Sequence, residues 1–376
     1  ARAIDKLIQT WRCQFPGATF NVAIEQSKGP LITALLKYED VIIYPINPAA
    51  LANYRKAFAH GGGKNDPADA QLLAEYLQHY LDKLRPLRQD EPLTRELAAL
   101  AEDRRRLVDQ RTAHCLELKA VLKRYFPEVL RLKAAKLNAD FVIRFLVKYP
   151  TLAEAQRAGA SRLRKFFYGV GARNNVEDRV SMLMEAIPLT EDAALLRSCA
   201  RRATALCKLI QSYNRQIDRY DGEIKTMVQQ HADYPIVASL PAGSYATRCR
   251  LIAALGDDRS RFPKAESLQA ASGIAPLTTQ SGRQRFVSSR WACSKFMKQT
   301  FHEFAGLTIT RCRWSAAYYK LQRSRGKSAQ MAKRALAYKW QSIIYRCWQD
   351  RVPYDEAQYL QRLQATGSPL IALMET

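Results

Sequence analysis

Gly61-Gly62-Gly63-Lys64-Asn65-Asp66-Pro67-Ala68-Asp69-Ala70 is the stretch from which the rest of the chain can be read. Three glycines release the backbone, and Asp66-Pro67-Ala68-Asp69 then opens a helix. Asp66 suits the cap position, Pro67 the first helical position, and Asp69 falls three residues beyond the cap. Side chains three apart share a helix face, so both carboxylates sit at a helix start whose dipole favours their ionised form. Two readings stay open. The pair simply starts a helix, as Asp commonly does, or it holds Mg²⁺ beside a pliable glycine-rich approach.

Upstream, Ile4 to Trp11 reads as an amphipathic helix ended before Pro16-Gly17, and Phe20 to Ile24 as a strand. Pro30 to Lys37 is a second helix, Val41 to Tyr44 a second strand stopped by Pro45-Ile46-Asn47-Pro48, and Ala49 to Phe58 a third helix. Strands alternating with helices imply a mostly parallel sheet, in which ligands sit at the carboxyl ends of strands. Glu25 lies just past such an end. Alone it is a polar residue leaving the core; beside Asp66 and Asp69 it becomes a third carboxylate. Two strands make a thin sheet, and the expectation is that its first hairpin precedes Ala1 or is missing from this chain.

Beyond Leu93 the pattern turns to long helices. Leu97, Leu100, Leu107, Cys115, Leu118, Leu122 and Tyr125 form a broken apolar stripe ending at Pro127. Cys199, Ala203, Leu206, Ile210, Tyr213, Ile217, Tyr220, Ile224 and Met227 alternate steps of four and three, the seam of a coiled coil. That seam packs either on the first long helix or on a second copy of the chain, with Tyr213 and Tyr220 in its core. Breaks at Tyr149-Pro150, Gly159, Gly169 to Gly171 and Pro188 divide the intervening segment into short helices.

Near Pro235 a third region begins. Leu240-Pro241-Ala242-Gly243-Ser244 before a helix is either the phosphate-gripping turn of a helix-hairpin-helix or a plain helix corner. Gly256 and Gly273 bracket another short helix. Thr278 to Arg285 then reads as a polar loop, with Ser281 beside Gly282 and two arginines. From Ser281 to Asp350 there are fifteen Lys/Arg against two Asp/Glu, a net +13 within seventy residues. Trp291, Phe296, Trp314, Tyr318, Tyr319, Tyr338, Trp340, Tyr345 and Trp348 are interleaved with them. At helical spacing most belong to a core, while exposed ones could stack on bases.

Composition agrees with this distribution. The chain of 376 residues carries 59 Lys/Arg and 35 Asp/Glu, a net +24 with a pI near 9.8. That excess exceeds what solubility requires and points to a polyanionic partner. No apolar run reaches the roughly 18 residues of a membrane span and no signal-like segment opens the chain, so a cytoplasmic location with no membrane partner is expected. Eight cysteines without a Cys-x-x-Cys pair argue against zinc and against a disulfide framework; several fall at core spacing and pack as small apolar residues.

Three blocks together resemble the insertion-sequence transposases with an Asp-Glu-Asp-Asp (DEDD) site, the bridge-RNA-guided DNA recombinases. The strand ending in Ile24-Glu25-Gln26-Ser27-Lys28-Gly29 is similar to the family's Glu block. Tyr44-Pro45-Ile46-Asn47-Pro48 and Gly63 to Ala70 match its block ending in Lys-x-Asp-x-x-Asp-Ala. Leu240-Pro241, Leu255-Gly256-Asp257, Arg261-Phe262, Gly273-Ile274-Ala275-Pro276 and Ser281-Gly282 resemble its C-terminal transposase domain. The resemblance implies an α/β RNase H/RuvC-like domain lacking its N-terminal strands (residues 1–92), a helical coiled-coil domain (93–234) and a mostly helical transposase domain (235–376). It implies Glu25, Asp66 and Asp69 as three of four Mg²⁺ ligands and catalytic residues, and Ser281 as the nucleophile. The family's first Asp has no match, and Asp5, which precedes a helix, is no substitute. Implied partners are donor and target DNA duplexes, a guide (bridge) RNA, and further copies of the chain in a homodimer or homotetramer. Lys64, Arg283, Arg285, Arg290 and Lys295 are the expected nucleic-acid contacts.

The chemistry is coherent. Phosphodiester cleavage needs a nucleophile and neutralised charge: carboxylate-held Mg²⁺ supplies Lewis acidity, a serine needs activation, and Arg283 and Arg285 can steady the phosphate. By local pattern Ser272, Ser288, Ser289 and Ser294 compete with Ser281; its place in the block singles it out. Two rivals remain: a metal-dependent, junction-resolvase-like nuclease without a covalent step, and a non-catalytic nucleic-acid binder.

Overall fold

The computed structural model describes residues 2–25, 29–58, 66–132 and 136–375. The chain divides into two compact units, Ala1–Gln89 and Asp90–Thr376.

In the first unit, α1 (Arg2–Gln14), β1 (Phe20–Ile24), α2 (Pro30–Leu35), β2 (Val41–Pro45), α3 (Pro48–Phe58) and α4 (Asp66–Tyr80) follow the order read from the sequence. The strands pair in parallel, Phe20 opposite Val41 and Ile24 opposite Pro45, and Ile46 N–H continues the ladder to Ile24 O at 2.8 Å. Helix α4 packs against β1, and beyond it Leu87 N–H donates to Ile43 O at 2.7 Å. Ile8, Ile32, Leu35, Val41 and Ile43 form the core. A bidentate pair from Arg12 to Asp40, at 2.6 and 2.7 Å, ties α1 to the start of β2. Both strands therefore end on the side where Glu25 leaves the sheet.

The second unit is mostly helical. α5 (Pro92–Tyr125) runs outward; α6 (Asp140–Lys148), α7 (Leu152–Ala158), α8 (Ala160–Gly169) and α9 (Val176–Glu185) cluster at its far end; α10 (Ala193–Val228) returns. Cross-helix bonds run Arg104 to Asp221, Arg111 to Asn214 and Arg202 to Glu117, so the pairing is antiparallel. The seam residues Cys199, Ala203, Leu206, Ile210, Ile217 and Ile224 are buried, and α10 packs on α5 of the same chain. Tyr213 and Tyr220 are half-buried rather than central, because a phenol's hydroxyl is best kept near water. Tyr213 stacks instead on His114, rings 5.5 Å apart.

Two apolar cores share this hairpin. At the far end, Leu118, Leu122 and Tyr125 of α5 and Cys199 to Ile210 of α10 meet Phe145, Leu163, Phe167 and Leu183 of the small helices. The near end joins α11 (Tyr234–Ala238), α12 (Tyr245–Leu255), α13 (Ala265–Ala271), a two-stranded sheet of β3 (Leu277–Ser281) and β4 (Gln284–Ser288), α14 (Lys295–Thr308), α15 (Arg313–Ser324), α16 (Ala329–Asp350), α17 (Glu356–Ala365) and α18 (Leu370–Glu375). There Leu97, Ala101, Ile224 and Val228 pack with Ile252, Phe301, Phe304, Trp314, Trp340 and Trp348. Leu240 to Ser244 forms a corner between α11 and α12, Ser244 capping the latter.

A buried polar joint closes the near end. Thr94 Oγ lies 2.8 Å from His231 Nε2 and donates to Asp257 Oδ1 at 2.9 Å, while Asp257 N–H donates to Asp90 at 2.8 Å. Gly256 (φ +74°) permits this approach: a Cβ there would meet Asp90 Oδ1 at 2.7 Å.

The cysteines are all free. Burial pushes the thiols of Cys207, Cys249 and Cys312 up to about 12, which leaves them as packing groups. Among the described residues no helix is long and apolar enough to cross a membrane.

Truncating Leu122, fully buried in the outer core, should cost about 2–5 kcal/mol. Leu116→Ala on the exposed face of the same helix should stay within about 0.5 kcal/mol. Urea denaturation of the two variants checks the contrast, and equal losses would contradict the packing.

Candidate active site

Ser281 does not lie in a loop. It ends β3, and the sequence reading is corrected here: residues 277–288 form an antiparallel hairpin whose register runs from Leu277 opposite Ser288 to Ser281 opposite Gln284. Gly282 (φ +56°) and Arg283 make the two-residue turn. A left-handed first position followed by an ordinary second one is the pattern in which glycine leads. The hairpin escaped the sequence reading because every residue of both strands is exposed. Strand alternation is legible only where one face is buried.

The register sorts the neighbours of Ser281. Directly opposed residues share a face, so Gln284, Thr279 and Phe286 lie on the side of Ser281. Arg285 pairs with Gln280 and falls on the other side. Arg283 sits in the turn itself. Arg290 is half-buried beyond β4, and Lys295, exposed, begins α14.

Three of the four competing serines are engaged, while Ser288, at the hairpin's root opposite Leu277, is exposed like Ser281. Ser272 is fully buried, donating to Gln269 O and accepting from Gln341 Nε2 at 2.7 Å. Ser289 accepts from Arg334 at 2.8 Å, and Ser294 caps α14 through Met297 N–H. Ser281 is exposed, and among the described residues no hydrogen bond engages its hydroxyl.

Arg334 of α16, which sequence reasoning missed, holds the hairpin's root. Its Nε donates to Ile274 O (3.0 Å) and its Nη2 to Gly273 O (2.8 Å), both before β3. Its Nη1 donates to Ser289 just after β4. One guanidinium thus fastens both strands. Gly273 (φ +68°) makes room beneath, since a Cβ would lie 2.3 Å from Cys293 Sγ. Nothing in the sequence spacing pairs an arginine on one helix with a turn sixty residues earlier.

The carboxylates lie in the first unit. Glu25 is exposed immediately after β1. Asp66 is the first described residue of α4, and Lys64 with the three glycines lies outside the described residues. Asp66 is exposed. Asp69, one turn on, is partly buried and ion-paired with Arg55 of α3. Arg55 was another residue the sequence did not single out.

Residues 1–127 match the family described as a DEDD-type IS110 transposase, and residues 234–320 match the transposase IS116/IS110/IS902 family. The chain belongs to the IS110-type transposases. A protein of Streptomyces coelicolor named as the IS117 mini-circle transposase is 28% identical, over 92% of this chain and 85% of its own. An IS110 insertion-element protein of the same organism is 23% identical, over 78% and 73% of the two chains. An IS900 insertion-element protein of Mycobacterium paratuberculosis is 24% identical, over 82% and 77%. The two matched segments of this IS110-type transposase include all four residues singled out for chemistry: Glu25, Asp66 and Asp69 in the first, Ser281 in the second.

The DEDD designation points to a divalent metal. The donor set of this transposase suits one chemically, since carboxylates are the oxygen ligands a hard cation takes, and Glu25 and Asp66 are exposed. Among the described residues, however, no three His, Cys, Asp or Glu side chains gather into a metal-holding group. Asp69 is already neutralised by Arg55.

Gly282→Ala should cost on the order of 1 kcal/mol, because an L-residue is strained at this φ although the space around it is open. The loss should be local, read as faster amide exchange in residues 277–288 with an unchanged global denaturation midpoint. Unchanged exchange in the hairpin would contradict the turn geometry.

Proposed function

We propose that the protein is a DNA recombinase of an insertion sequence that cuts and rejoins strands through a phosphoserine at Ser281. The observation that carries this reading is the exposed Ser281 at the turn of a hairpin bearing Arg283 and Arg285, while Ser272, Ser289 and Ser294 are engaged elsewhere. In the cutting step Ser281 Oγ bonds to the scissile phosphorus and loses its proton. The bond from phosphorus to one bridging oxygen breaks, and that oxygen leaves as a strand-end hydroxyl. In the joining step a strand-end hydroxyl attacks the phosphoserine, a phosphodiester re-forms, and Ser281 recovers its proton. The number of phosphoester bonds is conserved, so no external energy source is needed.

Arg283, in the turn two residues beyond Ser281, can grip the phosphate and offset its developing charge. Arg285, on the opposite face, is placed to hold a flanking phosphate. Arg290, Lys295 and Lys64 extend the contact to the backbone, where positive charge gives sequence-independent affinity. Glu25, Asp66 and Asp69 would hold Mg²⁺ in an RNase H/RuvC-like domain of residues 1–92, followed by the helical domain (93–234) and the transposase domain (235–376). When bound, the ion supplies Lewis acidity at a phosphate oxygen. Guidance by a bridge RNA and assembly into a dimer or tetramer complete the reading; the net charge of +24, more than one duplex contact needs, is compatible with an RNA partner.

Mixing the protein with labelled DNA and its cognate RNA should yield a protein–DNA adduct that survives denaturation, and Ser281→Ala should abolish it. An adduct formed by Ser281→Ala sinks the serine assignment. Cleavage that persists in Ser281→Ala but is lost in Asp66→Ala belongs instead to a metal-dependent nuclease.

If Asp69 is a metal ligand, Arg55 competes with the ion for it. Arg55→Gln should then tighten Mg²⁺ binding several-fold by calorimetry. Unchanged or weaker binding would remove Asp69 from the ligand set.

A further inference from the structure

At the root of the hairpin an open pocket of about 430 Å³ is lined by Ile274, Lys295, Lys298, Gln299, His302 and Arg334. The volume falls within the roughly 300–1,000 Å³ of small-ligand sites. Four of these residues come from α14 at positions i, i+3, i+4 and i+7, one continuous face of the helix. Arg334 faces them from α16. No carboxylate lines the pocket: Glu303, next along α14, is turned to Arg105 and Arg250. Burial, reinforced by Lys333 and Arg334, holds the His302 imidazole below its ordinary value, against the opposing effects of a backbone bond at Gln330 and of Glu303. Three fixed cations and a hydrogen-bonding imidazole and amide thus converge on one space. Like charges gathered without a counter-charge repel one another, and an anion removes that cost.

We propose that this pocket binds a backbone phosphate of the DNA strand that Ser281 attacks, a few nucleotides along from the scissile phosphate, and that Arg334 passes this occupancy to the hairpin. The inference rests on the recombinase reading for which strand is bound. Arg334 spends three of its five N–H groups on the hairpin's root, leaving one on each Nη for a phosphate oxygen. A phosphate seated there fixes the same guanidinium that fastens both strands. Lys298 also lies 5.9 Å from the ring of Trp291, which is 87% exposed and continues the basic surface toward solvent with a face on which a base can stack. A strand of DNA, with phosphates at regular spacing and bases between them, fits this sequence of groups better than a free phosphate does. Arg334 acts as a positioning residue.

The test uses the full chain and duplex DNA of two unrelated sequences, with affinity followed against salt. Lys298→Gln should lower the slope of log affinity against log salt by about one and weaken both duplexes equally. Lys165→Gln, which removes the same charge from α8, should leave the slope unchanged. Added duplex should slow amide exchange in residues 277–288 of the wild type and of Ser281→Ala, but not of Lys298→Gln. Arg334→Lys should keep the slope while lowering the adduct-forming rate on the order of tenfold or more. An unchanged slope in Lys298→Gln, an equal effect from Lys165→Gln, a slope change seen only with duplex RNA, or competition by millimolar inorganic phosphate at fixed ionic strength would each overturn the pocket assignment. Protein that never forms an adduct but shows the Lys298 slope and exchange effects keeps the pocket and overturns the serine chemistry.

Discussion

The second unit depends on the antiparallel pairing of α5 with α10. Neither helix has a core of its own. The outer halves close over the small helices α6 to α9, and the inner halves carry Leu97, Ala101, Ile224 and Val228 into the tryptophan-rich core of the C-terminal region. Two hydrophobic clusters are thereby threaded on one pair of helices. The polar joint of Thr94, His231 and Asp257 sets the inner register, and Arg104 with Asp221 repeats it farther out. Half-exposed ion pairs such as Arg104 with Asp221 add little stability, since side-chain ordering offsets most of their attraction. Their worth is in specifying which residues face each other, while the buried seam supplies the energy.

That division explains what could be read in advance. The alternating steps of four and three from Cys199 to Met227 are a statement about burial, and burial is what the structure returns for Cys199, Ala203, Leu206, Ile210, Ile217 and Ile224. The β1–α2–β2–α3–α4 order was legible for the same reason, because Ile32, Leu35, Val41 and Ile43 must leave water. Pro150, Gly159 and the glycines near 170 marked the breaks by backbone restriction alone. Partner choice was not legible. The seam was equally compatible with a second copy of the chain, and only the bonds to α5 decided it.

The candidate site was less legible than the fold, for a physical reason. Ser281 stands on strands with no buried face, so hydrophobic periodicity carried no information and the hairpin read as a loop. The consequence is chemical. Placed in a register, Arg283 and Arg285 are no longer interchangeable: one belongs to the turn, the other to the face turned away from Ser281. Arg334 and Arg55 were invisible because each acts through a partner distant in sequence. Guanidinium groups that fasten backbone or carboxylate leave no local motif.

A hairpin without a core has little to hold it in one place. Three side chains on its strands are apolar, Leu277, Phe286 and Val287, and all three face solvent. Its position is set at the root, by Arg334 on three acceptors and by Gly273 seated against Cys293. Such an element is rigid where it is fastened and compliant toward its tip. That suits a nucleophile presented to a phosphate that arrives from outside, since the last adjustment can be made by the ligand. It also means that substitutions at the root act on chemistry without touching the reacting atoms. The exposed apolar residues, which a free hairpin would not retain for stability, are then best understood as contact surface for what the hairpin meets.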